Sequence, residues 1–185
     1  MKAVLMSIRP QWCELIASGK KTVEVRKTKP KMDAPFIVYI YMTSGDAIYP
    51  VTINGVPYTC SNVGGRVVIG EFVCDKIFDI SIEMSSPEDL LGYPFPCTGL
   101  TDKEILLYLG DGKTGYGWHI SDLKIYDKPK PLSDFYKECA GLDNTGMCYE
   151  CENAFGEECD CTVNGRLHFT RPPQSWCYVE GFKNA

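Results

Sequence analysis

Six segments rich in β-branched and aromatic residues run through this chain and constrain its fold class more than any other feature. Such residues pack well on a pleated sheet. The predicted strands cover residues 3–8, 22–27, 36–42, 66–80, 115–127 and 176–182. Helical patterns are fewer and shorter. We therefore expect a mainly β fold with short α-helices (α+β), in which a closed or nearly closed barrel hides the sheet edges.

The first helix is predicted over residues 10–18. Pro10 suits the first turn of a helix and Gly19 suits its end. Trp12 and Ile16 lie at helical spacing, which indicates one apolar face. A short amphipathic helix followed directly by a strand is the expected arrangement.

Two further local signals lie downstream. Thr101 and Glu104 form a capping-box pattern at the start of a second helix, which ends at Gly110. The pair Asn54-Gly55 predicts a hairpin turn, because both residues adopt the positive φ angles that such a turn requires.

The strand after the first helix carries a dense group of polar side chains. Alternation places the two valines of residues 22–26 on one face and Thr22, Glu24 and Arg26 on the other, with Lys21 at the start. One interpretation is an ordinary solvated strand face with a weak Glu–Arg pair. The other is a functional site, in which Lys21 lies over a pocket, loses hydration and acts as a base or an anion ligand.

The pattern Gly19-x-Lys21-x-x-Glu24-x-Arg26 resembles the signature of the ASCH domain, the activating-signal-cointegrator homology family of the PUA-like superfamily. Residues 7–12, 70–73 and 171–179 are similar to the versions encoded by bacteria and their phages. The resemblance implies a PUA-like β-barrel flanked by short helices. With 185 residues, one domain spanning 1–185 is expected, carrying a hairpin insertion at 44–65 and a Cys-rich insertion at 138–165.

The resemblance also implies a function, because ASCH domains are similar to PUA domains, which bind RNA. The expected cleft lies between the first helix and the barrel. Cationic side chains there would hold phosphate or base acceptors, Glu24 would accept from an exocyclic amine, and Trp12 or Tyr116 would stack on a base. The predicted ligand-binding residues are Arg9, Trp12, Lys21, Thr22, Glu24, Arg26, Tyr116 and Ser175. Core packing for Trp12, edge packing for the aromatic strand around Tyr116 and a closing turn at Ser175 are the structural alternatives.

An enzymatic alternative rests on the same resemblance, since some bacterial ASCH proteins are amidohydrolases that remove the acetyl group from acetylcytidine. They use a lysine, a threonine nucleophile and a carboxylate. Here Glu24 occupies the nucleophile's place, and Cys97 or Thr98 occupies the carboxylate's. A hydrolase built from this chain would therefore use Lys21 with Glu24, or Glu71, to activate water.

The formal charge of -5 is unevenly distributed. Residues 1–32 hold eight Lys or Arg against two Glu, whereas residues 138–165 hold seven acids and no Lys or Arg. The basic end can attract phosphate, but taken alone this charge is better interpreted as a solvated lysine-rich turn at residues 27–31. The resemblance to ASCH domains makes RNA, a nucleotide or a nucleoside the expected partner. No apolar run is long enough for a membrane span and no secretion signal is evident, so a cytoplasmic location is expected.

Five of the ten cysteines fall within 23 residues. They are Cys139, Cys148, Cys151, Cys159 and Cys161. Close cysteine pairs suit tetrahedral Zn²⁺, and four of these five are expected to form a structural zinc knuckle. Disulfides are the competing interpretation, but nothing in the sequence points to secretion. A third class of function, a protein-interaction module that uses this acidic knuckle, would suit a basic protein partner.

The zinc interpretation makes a direct prediction. Protein purified without chelator should contain about one zinc per chain, because one knuckle of four cysteines binds one ion. Elemental analysis of the purified protein measures the ratio, and a zinc content near zero would refute the knuckle.

Overall fold

Strands make up most of the part of the chain that the computed structural model describes, which is residues 2–44, 51–58, 66–81, 95–110, 113–138, 166–169 and 171–180. The strands are β1 (Lys2–Ile8), β2 (Val23–Arg26), β3 (Phe36–Met42), β4 (Val51–Ile53), β5 (Val56–Tyr58), β6 (Val67–Cys74), β7 (Ile77–Ser81), β8 (Thr114–His119), β9 (Ser121–Pro131), β10 (Tyr136–Glu138), β11 (Arg166–His168) and β12 (Trp176–Glu180). The α-helices are α1 (Pro10–Ala17) and α2 (Asp102–Leu109). The mainly β, α+β prediction is confirmed.

The largest sheet has the strand order β12-β1-β3-β6-β9. β1 pairs parallel to β3 and antiparallel to β12, and the remaining neighbours are antiparallel. Both β1 and β3 are almost continuously apolar and buried along their length. Such runs are typical of strands covered on both faces. The first and last strands of the described chain lie side by side, with β12 at one edge of this sheet.

A separate three-stranded sheet, β2-β8-β7, faces the large sheet. Within the described residues the hydrogen-bonded ladder does not continue from one sheet to the other, so the expected closed barrel is wrong for this part of the chain. The physical reason lies at Ile120, where the chain leaves β8 and enters β9 in the other sheet. The Ile120 amide donates to the carbonyl of Thr22 at 2.8 Å, which fixes this crossing beside β2.

The hydrophobic core is divided into three clusters. The main one lies between the two sheets and contains Trp118 from β8 and Cys13 and Ile16 from α1. A second covers the opposite face of the large sheet. The third packs Val25 of β2 against α2 through residues such as Ile105. β2 is thus covered on both faces, and all four of its residues are buried.

Two predicted strands are each divided in the structure. The segment 66–80 contains β6 and β7, and the segment 115–127 contains β8 and β9. Residues that favour strands continue across both breaks, so composition alone did not indicate where each strand ends. The Asn54-Gly55 turn is confirmed between β4 and β5, with φ angles of 49° and 77°.

Cys13 and Cys177 behave as small apolar residues, as the sequence predicts. Cys13 is fully buried, and burial raises the pKa of its thiol well above its ordinary value. Cys177 is half-buried, and burial raises its pKa to about 11. Residues 139–165 lie outside the described residues, so the zinc-knuckle prediction and its five cysteines stay predictions, as do the insertion boundaries. Among the described helices, none has the length and apolar character needed to cross a membrane.

The close approach of β6 and β9 predicts a sensitive glycine. A methyl group at Gly70 would collide with the backbone carbonyl of Lys124 in β9, which is held by the sheet. We expect Gly70→Ala to lower the free energy of unfolding by about 3 kcal/mol. Gly55→Ala is the control, because its φ of 77° strains the backbone but nothing lies within 4 Å of the added methyl. That variant should lose about 1 kcal/mol. Urea denaturation measures both, and equal losses would contradict the proposed collision.

Candidate ligand-binding site

The turn from α1 into β2 positions the site. Pro10 is in the first turn of α1, and Gly19 follows the helix with a φ of 73°. The Gly19 amide donates to the Ile16 carbonyl at 2.9 Å, and the Lys21 amide donates to the Leu15 carbonyl at 3.0 Å. These bonds end the helix and direct the chain into the strand, as the sequence predicted.

Lys21, Glu24 and Arg26 form a buried cluster of charged side chains, the charged triad. They are 2%, 6% and 7% exposed. Glu24 lies between the two cations, with Oε2 3.2 Å from Lys21 Nζ and Oε1 2.9 Å from the Arg26 guanidinium. Buried charges persist in a folded protein only when they are paired and hydrogen-bonded, so the carboxylate is what allows both cations to stay inside.

Backbone carbonyls complete the surroundings of Lys21. Its ammonium group donates to the Val23 carbonyl at 2.9 Å and to the Thr98 carbonyl, and it lies 5.7 Å from the centre of the Trp12 ring. Thr98 belongs to a short 3-10 turn, Phe95–Thr98, and Gly99 follows with a φ of 69°. This turn therefore packs against the lysine, and the Thr22 amide donates to its Cys97 carbonyl at 2.8 Å.

Arg26 connects the site to both ends of the described chain. Its guanidinium donates to the Ser7 carbonyl at 2.8 Å and to the Ser175 hydroxyl at 3.3 Å. Ser7 also bonds residues 171–175, which we call the closing segment. Its amide donates to the Ser175 carbonyl at 2.9 Å, and its hydroxyl donates to the Pro173 carbonyl at 2.6 Å. The closing segment is therefore fixed against the end of β1 as one wall of the site.

A cavity of about 480 Å³ opens onto the triad, and we call it the triad cavity. Trp12 from α1 and Tyr108 from α2 both line it. Arg9 is exposed at its rim. Other lining residues are Ser7, Leu100, Glu104, Leu107, Gln174 and Ser175. Aromatic walls around a few convergent polar groups are typical of small-molecule sites.

Two buried polar atoms of the triad have no hydrogen-bond partner among the described residues. They are Glu24 Oε2 and Arg26 Nε. Glu24 Oε2 is close to Lys21 Nζ, but the angle between them does not make a hydrogen bond. Buried polar groups are almost always satisfied, so an acceptor and a donor left over beside one cavity indicate capacity for water or a ligand.

Tyr108 was missed by the sequence analysis. Burial raises the pKa of its phenol, against the opposing effect of the Arg26 charge, so the hydroxyl stays protonated at neutral pH. Lys27 Nζ lies 5.2 Å from the ring centre. Tyr108 follows the capping-box residue Glu104 by four positions, so both lie on one face of α2. That spacing was readable in the sequence, but where α2 packs was not.

Six of the predicted ligand-binding residues line the triad cavity: Arg9, Trp12, Lys21, Glu24, Arg26 and Ser175. Thr22 and Tyr116 do not line it. The Thr22 amide and carbonyl instead bond Cys97 and Ile120, and Tyr116 lies under Lys29, whose Nζ is 4.8 Å from the ring centre.

Glu71, the other predicted catalytic carboxylate, is in β6 of the large sheet. It accepts a hydrogen bond from Tyr126 at 2.5 Å and does not line the cavity. Among the residues that the structure describes, no group of three or more His, Cys, Asp and Glu is placed to hold a metal ion.

Comparison with known proteins identifies the fold. The model of the ASCH domain matches residues 6–71, which include α1 and the charged triad. An ASCH protein of known structure from Zymomonas mobilis is similar with a TM-score of 0.57 and 17% identity, covering 96% of this chain and 87% of that one. A single-substitution variant of that protein gives 0.57 and 17%, covering 97% and 91%. No curated protein sequence matches. At such identities the structural likeness shows a shared fold.

The triad predicts a large effect of removing its negative charge. Glu24→Gln leaves Lys21 and Arg26 buried without a counter-charge, so we expect the free energy of unfolding to fall by about 3–5 kcal/mol. Asp79→Asn is the matched control, because Asp79 lies 3.8 Å from Lys29 and the two side chains are 68% and 51% exposed. The control should change stability by less than about 1 kcal/mol. Urea denaturation measures the free energy of unfolding of both variants. Similar losses would contradict the inference that the Glu24 charge stabilises the buried cations.

Proposed function

We propose that this chain, which contains an ASCH domain, binds RNA or a nucleotide in the triad cavity. ASCH domains are linked to RNA binding, and the matched residues include the floor of this cavity. The single observation that carries the proposal is the burial of Lys21, Glu24 and Arg26 together beneath an open cavity.

The size and walls of the cavity suit a nucleobase. Ligand sites of about 300–1,000 Å³ hold small molecules, and the triad cavity falls in that range at about 480 Å³. Trp12 and Tyr108 offer aromatic rings to a flat ligand. Stacking of a base on an aromatic side chain contributes about 1–3 kcal/mol and tolerates any base.

The polar floor suits the edge of a base. Glu24 Oε2 is an acceptor without a hydrogen bond, which an exocyclic amine can fill, and Arg26 Nε is a donor without one. Neighbouring donors and acceptors of this kind read the Watson–Crick edge of an unpaired base. Arg9 at the rim is exposed and free to contact a phosphate or sugar oxygen.

Binding explains the triad better than amide hydrolysis does. Lys21 Nζ faces the Val23 and Thr98 carbonyls and the Glu24 carboxylate, which are all acceptors. These three acceptors already engage the lysine side chain. Glu24 also stands where a nucleophilic hydroxyl would be required and is itself engaged by two cations.

We further propose that residues 139–165 hold a structural zinc knuckle, on the strength of their five cysteines. Because the residues around these cysteines are acidic, a basic protein partner is a secondary proposal. A cytoplasmic location and a phage-related origin likewise stay predictions from the sequence.

Titration with nucleoside monophosphates tests the binding proposal. Trp12 fluorescence should be quenched on binding because a base stacks on its ring, and Trp12→Phe should lose that signal. Arg26→Gln should weaken binding about tenfold or more, because a charged hydrogen-bond donor is lost. Lys29→Gln is the control, since Lys29 is an exposed cation that does not line the cavity, and its affinity should stay within about twofold of wild type.

The same samples separate binding from hydrolysis. Incubation with acetylcytidine, followed by chromatography, should release no more cytidine from wild type than from Lys21→Ala. Turnover that depends on Lys21 would establish the hydrolase instead. An affinity unaffected by Arg26→Gln would remove the triad cavity from the explanation.

A further inference from the structure

A second cavity of about 470 Å³ lies beside the first and has a different chemistry. Arg66 and Arg171 line it, and both are exposed. Its remaining wall includes Tyr41, Leu132 and Phe169. We call it the arginine cavity.

The two cavities are neighbours along one stretch of chain. Thr43 lines both of them. The closing segment also contributes to both cavities. Arg171 and Pro172 line the arginine cavity, and Gln174 and Ser175 line the triad cavity. Thr43 is itself fixed by its amide, which donates to the Ile8 carbonyl at 2.9 Å. The two cavities therefore adjoin at Thr43 and at the closing segment.

The lining of the arginine cavity favours an anion next to an apolar surface. No carboxylate is found among its lining residues in the described part of the chain. Phe169 is half-buried and gives an aromatic surface beside the guanidinium groups. The backbone of Arg66 is held in position, because its amide donates to the Met42 carbonyl at 2.7 Å. Guanidinium groups bind phosphate oxygens with two parallel hydrogen bonds.

Taken together, the linings contain five cations against two carboxylates among the described residues. The whole chain has a formal charge of -5, so the net charge of these linings has the opposite sign to that of the protein. Such a local field concentrates a polyanion at one surface.

We propose that the two cavities form one groove for single-stranded RNA, with a base in the triad cavity and the adjoining phosphodiester and nucleotide in the arginine cavity. This inference rests on the proposed function and narrows it, because it makes a strand of at least two nucleotides the preferred ligand over a free nucleotide. Arg66 and Arg171 are the phosphate ligands, and Phe169 is the surface for the second base.

The test compares a free nucleoside, which has no phosphate, with a six-nucleotide single-stranded RNA. The double variant Arg66→Gln/Arg171→Gln should weaken hexamer binding about tenfold or more, because two charge-assisted contacts to phosphate are lost. Its affinity for the nucleoside should stay within about twofold of wild type, because a nucleoside has no phosphate for these arginines to bind. In a plot of log affinity against log salt concentration for the hexamer, the negative slope should become shallower by about 1.4, at about 0.7 per phosphate contact.

A matched control removes the same charge elsewhere. Lys29→Gln/Lys128→Gln takes away two exposed cations that line neither cavity, and hexamer binding should stay within about twofold of wild type. Arg66 has a φ of 74°, so the double variant is checked for folding by urea denaturation. If it does not fold, Arg171→Gln alone should weaken the hexamer about threefold and lose about 0.7 in slope.

The outcomes separate the two proposals. Hexamer binding that resists the loss of both arginines but is abolished by Arg26→Gln overturns the groove and leaves the proposed function standing. Failure of wild type to bind either ligand overturns both. Hexamer binding that needs the arginines but is indifferent to Arg26→Gln refutes the triad cavity as a base site, and with it the shared groove. An acidic peptide of equal charge that binds as tightly as the hexamer would overturn RNA as the ligand.

Discussion

The carboxylate of Glu24 makes the rest of the site possible. It lies between Lys21 and Arg26, and all three side chains are almost entirely removed from water. Without that negative charge, two cations would be buried together, which costs far more than a short strand gains from its valines. The position of β2 within the fold therefore depends on an ion pair as much as on hydrophobic packing.

Arg26 extends this dependence to the larger sheet. Its guanidinium reaches the Ser7 carbonyl at the end of β1 and the Ser175 hydroxyl in the closing segment. The two sheets share no hydrogen-bonded ladder within the described residues, so polar contacts of this kind and the core around Trp118 hold them face to face. The gap left between the facing elements is the triad cavity, whose polar floor is thus also a structural joint.

Features that depend on neighbouring residues were predicted correctly from the sequence, whereas features that depend on contacts between distant residues were not. The helix from Pro10, the Thr101 capping box and the Asn54-Gly55 turn follow from neighbouring residues alone, and all three are confirmed. Alternation in β2 identified which side chains share a face, but it carries no information on what covers that face. Tyr108 reaches the site because α2 packs against Val25 of β2, a contact between residues far apart in the sequence. The closed barrel was mispredicted because the passage from one sheet to the other at Ile120 also depends on a long-range contact, the hydrogen bond to Thr22.

The hydrogen bond from the Ser7 hydroxyl to Pro173 joins residues 166 positions apart. A ribosome releases the amino-terminal strand long before the closing segment exists, so a nascent chain holds Lys21, Glu24 and Arg26 without the wall that Ser175 supplies. Contacts of such large sequence separation form slowly, because much chain must be ordered before they contribute. The pocket is consequently complete only after the chain has been synthesised through Ser175.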